Sequence, residues 1–184
     1  MKQVLIVVDL QNEYLPTGKL PLFNIETATA NAARAIAFAR THNIPVVHIR
    51  HESKTSDAPI FVPGTAAVEI QKDVAPQAEE SVVVKNFVNS FRDTPLKHIL
   101  ETQGAQELIV VGAMSHMCID AVVRAASDMG YVVTVLHDAC TTLDLEFNGV
   151  HVSAPHVHAA MMASFAFAYA TVKSTQEYID TIAQ

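Results

Sequence analysis

Six short apolar runs, rich in Val, Ile and Leu, recur along the chain and alternate with segments of helical periodicity. Most of the runs are continuous rather than alternating, which is typical of strands buried on both faces of a parallel sheet. They are Val4–Val8, Pro45–Ile49, Val82–Val84, Leu108–Val111, Val132–Leu136 and Ala168–Val172. Since strands that alternate with helices form βαβ units, the pattern predicts an open sheet with helices on both faces, a three-layer α/β/α fold.

Cap and breaker residues delimit the helices between these strands. Proline favours the first turn of a helix, glycine follows its end, and a Ser-x-x-Glu box marks its start. The predicted helices are Ile25–Arg40, one opened by Thr94-Pro95 and closed by Gly104, Cys118–Met129, one opened at Ser153, and a short terminal one opened by the box Ser174–Glu177. Proline and glycine interrupt residues 52–80, which we interpret as an excursion near the functional site. The chain, residues 1–184, is therefore predicted to form a single domain.

The charge of the chain argues against two classes of partner. The formal net charge is −7, and the 12 Lys and Arg residues form no run. Nucleic acids and anionic membranes attract clustered positive charge, so neither is an expected partner. The N-terminal apolar run is followed at once by Asp9 and is too short for a signal peptide or a membrane span. Two cysteines make no disulfide framework, and the cytoplasm is the expected location.

Three chemically distinct side chains follow predicted strands on what should be one edge of the sheet. Asp9 follows the first strand, Lys85 follows the third, and Cys118 comes seven residues after the fourth. In open α/β sheets, ligands bind outside the carboxyl ends of the strands. Each residue alone has an ordinary structural explanation, as a capping Asp, a solvated Lys or a buried Cys. The coincidence of an acid, a base and a nucleophile at strand ends favours a catalytic site.

The predicted position of Cys118 suggests how its thiol could be activated. A helix that begins at Cys118 would direct its unpaired N–H groups and the positive end of its dipole at the sulfur. Such a position lowers a thiol pKa from ~8.5 toward neutrality, and a neighbouring ammonium lowers it further. Lys85 would supply that ammonium. We therefore expect Cys118 to have a depressed pKa and to react as a thiolate, whereas Cys140 is expected to be structural.

Three segments resemble the isochorismatase-like cysteine hydrolases, a superfamily that includes nicotinamidases, N-carbamoylsarcosine amidohydrolases and ureidoacrylate amidohydrolases. They are VDLQNEY at 8–14, VVVKNFVNSF at 82–91 and VGAMSHMCIDAVVRAASDMGYVVTVLHDA at 111–139. The resemblance implies a six-stranded parallel sheet and a homo-oligomer, either a dimer or a tetramer. It also implies a catalytic triad of Asp9, Lys85 and Cys118, a cis peptide between Ala113 and Met114, and an oxyanion hole formed by the N–H groups of Met114 and Cys118.

The expected activity is cleavage of a C–N bond in a small amide or ureido compound, through a Cys118 thioester and without a cofactor. One alternative is the vinyl ether hydrolysis of isochorismate, but that branch of the superfamily is expected to lack the nucleophilic cysteine. A metal-assisted amidase of the nicotinamidase type is a second alternative, and a protein that only binds is a third. The metal branch carries an Asp-x-His after its second strand. This chain has His48-Ile-Arg-His51 there, so no metal site is predicted, although three further histidines cluster at His151, His156 and His158.

Three more positions beside these motifs are candidates for substrate contact. Gln11, two residues after Asp9, is expected to hydrogen-bond the substrate or to organise Asp9. Phe87, two residues after Lys85, is expected to line the pocket or to belong to the core. His116, two residues before Cys118, is expected to contact the substrate and is the next candidate for proton transfer.

Overall fold

A parallel sheet of six strands runs through the computed structural model, which describes residues 1–182. The strand order is β3-β2-β1-β4-β5-β8, every neighbouring pair is parallel, and β6 and β7 form a separate antiparallel hairpin. The strands are β1 (Gln3–Val8), β2 (Val46–His51), β3 (Ser81–Lys85), β4 (Glu107–Ala113), β5 (Val132–Thr141), β6 (Leu145–Phe147), β7 (Val150–Val152) and β8 (Thr171–Lys173). The predicted six-stranded parallel sheet is confirmed.

Helices cover both faces of the sheet, as the continuous apolar runs predicted. They are α1 (Ile25–Thr41), α2 (Leu96–Gln103), α3 (Asp120–Asp128), α4 (Ala154–Ala168) and α5 (Thr175–Ile182). Successive side chains of a strand point to opposite faces. In β1, Leu5 and Val7 pack with α1 and α5 in one core cluster, whereas Val4 and Ile6 pack with α2, α3 and α4 in a second. Strands of this kind must be apolar at every position, which explains the pattern in the sequence.

The sheet reverses its strand order between β1 and β4, which lie side by side at its centre. At the carboxyl end of this pair, Val8 is the register partner of Gly112. Gly112 has φ +126, and a Cβ there would lie 2.0 Å from the carbonyl oxygen of Val8. Only glycine allows the two backbones to approach this closely. The close approach brings together the chain segments that leave β1 and β4.

Several predicted boundaries were wrong. The fifth strand continues to Thr141 rather than ending at Leu136, so Cys140 lies within it. The last strand of the sheet is Thr171–Lys173 rather than Ala168–Val172, because α4 continues through Ala168. Alanine is the strongest helix former, so this alanine-rich segment extends the helix instead of starting a strand. The third helix begins at Asp120, and a π-helical turn over Ser115–Ile119 precedes it. Cys118 therefore lies within a turn that leads to the helix, not at the first residue of α3.

The start of α5 agrees with the predicted capping box. The N–H of Ser174 donates to Glu177 Oε2 at 2.7 Å, and the N–H of Glu177 donates to Ser174 Oγ at 3.2 Å. The last two residues of the predicted domain lie outside the described residues. Among residues 1–182, no helix combines the length and the apolarity that crossing a membrane requires.

Candidate active site

Asp9, Lys85 and Cys118 meet at the carboxyl edge of the sheet, beside the point where the strand order reverses. The Nζ atom of Lys85 lies 2.8 Å from Asp9 Oδ2 and 3.2 Å from Cys118 Sγ. The three residues are 0%, 1% and 6% exposed, respectively. A buried lysine is rare unless it is paired, and here the ammonium bridges the carboxylate and the sulfur.

Asp9 is held in an uncommon backbone conformation. Its φ is 51°, in the left-handed region that Asp and Asn tolerate better than other non-glycine residues. Its N–H donates to the carbonyl of Ile49 at 3.0 Å, and its carbonyl accepts from the N–H of Gln11 at 2.8 Å. This turn ends β1 abruptly and fixes the Asp9 carboxylate over the strand ends. Strained backbone of this kind clusters at functional sites.

The turn that carries Cys118 is fixed on two sides. The peptide bond between Ala113 and Met114 is cis. The Met114 carbonyl accepts from the N–H groups of Met117 at 3.0 Å and Ile119 at 3.2 Å. Ser115 Oγ is hydrogen-bonded to the carbonyl of Thr141 at 3.2 Å and to His158 Nδ1 at 2.8 Å. The oxyanion hole expected from the N–H groups of Met114 and Cys118 stays a prediction.

The thiol of Cys118 is not activated in the way the sequence suggested. Burial raises its pKa well above the ordinary value, the Asp9 carboxylate raises it further, and Lys85 lowers it by less than these two raise it. For Lys85, burial favours a lower pKa, but Asp9 and Cys118 outweigh burial and raise it. The expectation of a depressed thiol pKa was wrong, because removal from water and a nearby carboxylate both oppose a thiolate. The surroundings of Cys118 therefore favour the thiol over the thiolate.

The sequence did not assign His51 to this site. His51 closes β2 and is the register partner of Lys85, which closes β3. Its Nδ1 atom lies 3.0 Å from Lys85 Nζ, and its ring packs edge-on against Phe61 with a centroid distance of 5.1 Å. Asp9 is a candidate because it is a polar residue at the end of a strand, and the same criterion applies to His51. The sequence pattern suggests only a metal-binding role for it.

Gln11 ties the strand ends together and has no amide donor left for a substrate. Its Oε1 accepts from the N–H of His51 at 2.8 Å, and its Nε2 donates to the carbonyls of His51 at 2.8 Å and Val68 at 2.6 Å. The residue is fully buried. The structure therefore favours the organising role of Gln11 over substrate contact.

The other two candidate contacts, Phe87 and His116, have partners elsewhere. The Phe87 ring lies near two cations, with Lys54 Nζ 4.3 Å and the Arg92 guanidinium carbon 3.7 Å from its centroid. His116 Nδ1 is 2.6 Å from Thr142 Oγ1, just beyond the end of β5. Burial lowers the pKa of His116, although Asp120 opposes the shift. These contacts give no support to substrate binding by Phe87, and they fix the His116 ring against the chain that leaves β5.

Aromatic side chains pack beside the buried triad. Tyr14 and Phe61 are in edge-to-face contact at 5.3 Å, and both are nearly inaccessible to solvent. Burial raises the pKa of Tyr14, and the carboxylate of Asp9 and the sulfur of Cys118 raise it further. Phe61 belongs to the irregular segment 52–80, and its N–H donates to the buried Glu13 carboxylate at 2.8 Å. The excursion thus packs against His51 and Tyr14, two residues beside the triad, as its position in the sequence suggested.

A cavity of about 290 Å³ lies next to the nucleophile turn, between the start of α1, the end of β5 and the start of α4. Asp9, Lys85 and Cys118 are not among its lining residues. Its wall includes Thr141 and Thr142, the two residues that hold Ser115 and His116 in place. The cavity therefore borders residues that hold the nucleophile turn, without including the triad.

The histidines do not fit a metal site of the nicotinamidase type. His48 is fully buried within β2, and its Nε2 lies 3.0 Å from Glu80 Oε2. His51 directs Nδ1 at the ammonium of Lys85. Within residues 1–182, no group of three or more His, Cys, Asp or Glu side chains is arranged to hold a metal ion. We therefore derive no chemical step from a metal, and the prediction of a metal-independent reaction stays a prediction.

Comparison with known proteins identifies the family. A family model described as "Isochorismatase domain" matches residues 3–177. The uncharacterized isochorismatase family protein YddQ of Bacillus subtilis is 45% identical over 179 residues, which cover 97% of this chain and 99% of that protein. The crystal structure of a putative isochorismatase hydrolase from Oleispira antarctica is 49% identical, with a TM-score of 0.95 and coverage of 97% and 96%. Nicotinamidase 3 of Arabidopsis thaliana is 28% identical over 177 residues, covering 90% of this chain and 82% of its own. The chain belongs to the isochorismatase family of hydrolases.

Proposed function

We propose that the protein is a cysteine hydrolase that cleaves the C–N bond of a small amide or ureido compound through a thioester on Cys118. The observation that carries the proposal is the placement of one ammonium, Lys85 Nζ, within hydrogen-bonding distance of both Asp9 Oδ2 and Cys118 Sγ. This arrangement joins a nucleophile to a proton acceptor inside a buried site, which is what covalent hydrolysis requires.

In the first step, the sulfur of Cys118 forms a bond to the substrate carbonyl carbon and its proton moves to Asp9. Because burial and Asp9 raise the pKa of the thiol, transfer of this proton accompanies the attack rather than preceding it. The Oδ1 atom of Asp9 is buried and accepts no hydrogen bond within the described residues, so it is available to receive the proton. Lys85 stabilises the negative charge that develops on the sulfur.

In the second step, the proton on Asp9 is delivered to the substrate nitrogen as the C–N bond breaks. Ammonia or an amine leaves, and the acyl group remains on Cys118 as a thioester. Water then attacks the thioester, the C–S bond breaks, and the thiol regains a proton through Asp9. Lys85 is a poor carrier of this proton, since Asp9 and Cys118 raise its pKa and keep it charged.

The same geometry supports an amide or ureido substrate. A general acid at the leaving group matters most for nitrogen, which is a poor leaving group until it is protonated. A relative whose name is nicotinamidase supports an amide rather than a vinyl ether. The triad residues are at most 6% exposed, which suits a small substrate that the protein encloses.

A screen for ammonia release over small amides and ureido acids tests the proposal. Reactions without the protein serve as the blank. Adding hydroxylamine should divert the acyl group of an amide substrate into a hydroxamate, and the carbamoyl group of a ureido substrate into an N-hydroxyurea, because hydroxylamine competes with water for the thioester. Ammonia release equal to the blank on every compound, or turnover without the matching hydroxylamine product, would count against the mechanism.

A further inference from the structure

The ammonium of Lys85 contacts three groups, one through an ion pair and two through hydrogen bonds. Asp9 Oδ2 lies at 2.8 Å, His51 Nδ1 at 3.0 Å and Cys118 Sγ at 3.2 Å. Its hydrogen bonds go to His51 and Cys118, whereas the contact with Asp9 is an ion pair. The hydrogen bond to His51 therefore helps to set the direction of the N–H that faces the sulfur. The ion pair with Asp9 alone would leave the ammonium free to rotate.

The position of His51 does not depend on a substrate. Its backbone N–H and carbonyl are both held by the Gln11 side chain, each at 2.8 Å. Its ring packs edge-on against Phe61, with an interplanar angle of 75°. Both constraints come from residues of the protein itself. The Nδ1 atom is thus presented to Lys85 before any ligand enters.

The contact also defines the protonation state of His51. Since an ammonium only donates, Nδ1 must carry a lone pair, and the ring proton lies on Nε2. Burial lowers the pKa of His51, Lys85 lowers it further, and the Asp9 carboxylate opposes both. These two are the charged groups that act on the ring. The neutral form needed for the contact is therefore the form that the surroundings favour.

We propose that His51 is a positioning residue that orients the Lys85 ammonium toward Cys118. Through Lys85, the ring lowers the free energy of the sulfur anion that forms during attack, without touching the substrate or the sulfur. The inference rests on the proposed function in one respect, because the sulfur anion has a catalytic use only if Cys118 is the nucleophile. The residue to which it assigns a role, His51, lies outside the triad.

Two substitutions separate the hydrogen bond from the bulk of the ring. In His51→Asn, the amide oxygen takes a position close to that of Nδ1 and still accepts from Lys85. In His51→Leu, the volume against Phe61 is largely kept and the acceptor is lost. Backbone hydrogen bonds to Gln11 survive in both variants. Thermal unfolding monitored by circular dichroism establishes that both are folded.

The measurement is the rate at which iodoacetamide alkylates Cys118 at pH 8, with the modified cysteine identified by peptide mass. Only the thiolate reacts, so below the thiol pKa the rate follows the thiolate fraction, and a pKa rise of one unit lowers it tenfold. We expect His51→Leu to slow alkylation by about tenfold and His51→Asn to stay within about threefold of the wild type. A purely structural role predicts the reverse sign, because looser packing exposes the thiol and speeds alkylation.

Two results would overturn the proposal: an unchanged or faster rate in His51→Leu, or an equal slowing in His51→Asn and His51→Leu. Alkylation requires no substrate, so this test is independent of the amide screen. If the screen finds no amide substrate but His51→Leu still slows alkylation of Cys118, the proposed function fails while the positioning role of His51 stands.

Discussion

Removing one partner of the buried ion pair between Asp9 and Lys85 should cost more stability than removing both partners. Both side chains are fully buried, and their charged atoms are 2.8 Å apart. Removing one partner leaves the other charge in a medium that solvates it poorly, at a cost of about 3–5 kcal/mol. For a protein of this length, that corresponds to a fall in Tm of about 6–20 °C. We expect a loss of this size for Asp9→Asn and for Lys85→Met.

The double variant tests whether the two buried charges depend on each other for stability. Asn is the appropriate substitution at position 9 because the backbone φ of 51° excludes most other residues. With both charges gone, the remaining cost is that of one buried amide, about 1–3 kcal/mol. Asp9→Asn with Lys85→Met should therefore be more stable than either single variant.

Urea unfolding at pH 7, followed by circular dichroism, measures all four proteins. Lys97→Met is the matched control, because Lys97 forms a surface pair with Glu101 at 3.8 Å in which both side chains are more than half exposed. Its free energy of unfolding should change by less than about 0.5 kcal/mol. A double variant that loses the sum of the two single losses would refute the reasoning, since additive losses would show that neither charge depends on the other.

Three further predictions concern the surroundings of the site. Glu80→Gln should lower the free energy of unfolding by about 2–3 kcal/mol at pH 7. The reason is that Arg40, the N–H of Gln77 and His48 outweigh burial and lower the Glu80 pKa from 4.5 to about 2. A carboxyl whose folded pKa is depressed contributes stability above its unfolded pKa and loses it as the pH falls. In urea unfolding, the difference in the free energy of unfolding between the wild type and Glu80→Gln should therefore shrink between pH 4.5 and 2. An equal difference at both pH values would contradict this. Gln11→Leu should cost about 2–4 kcal/mol because it leaves three buried backbone groups without their partner, and a loss below about 0.5 kcal/mol in the same assay would show that these contacts are dispensable. Dialysis against a chelator should leave turnover unchanged, and a loss that zinc, manganese or iron restores would show that a metal takes part.

The sequence predicted the sheet well because its signals are local. Apolar runs such as Val4–Val8 and Leu108–Val111 identify buried strands without reference to the rest of the chain. The position of the last strand was mispredicted because the alanines before it also favour a helix. Ala168 extends α4 because alanine favours a helix.

The site was predictable in its members but not in its electrostatics. Asp9, Lys85 and Cys118 could be found because strand ends of a parallel sheet meet at one edge. The sign of the pKa shift at Cys118 depends on how burial balances two opposite charges, and that balance exists only in the folded structure. The contact between His51 and Lys85 joins residues 34 positions apart and needs the register of β2 against β3.

The most direct test of a Cys118 nucleophile compares two cysteine variants on the amide that the screen identifies. Cys118 and Cys140 are both buried, and burial raises the thiol pKa of Cys140 to about 12. Cys140 lies on β5, is the register partner of Gly112, and has no part in the proposed chemistry. We predict that Cys118→Ala lowers kcat/KM by at least about 10⁴-fold, while Cys140→Ala stays within about threefold of the wild type. Wild-type turnover by Cys118→Ala would contradict the proposed mechanism.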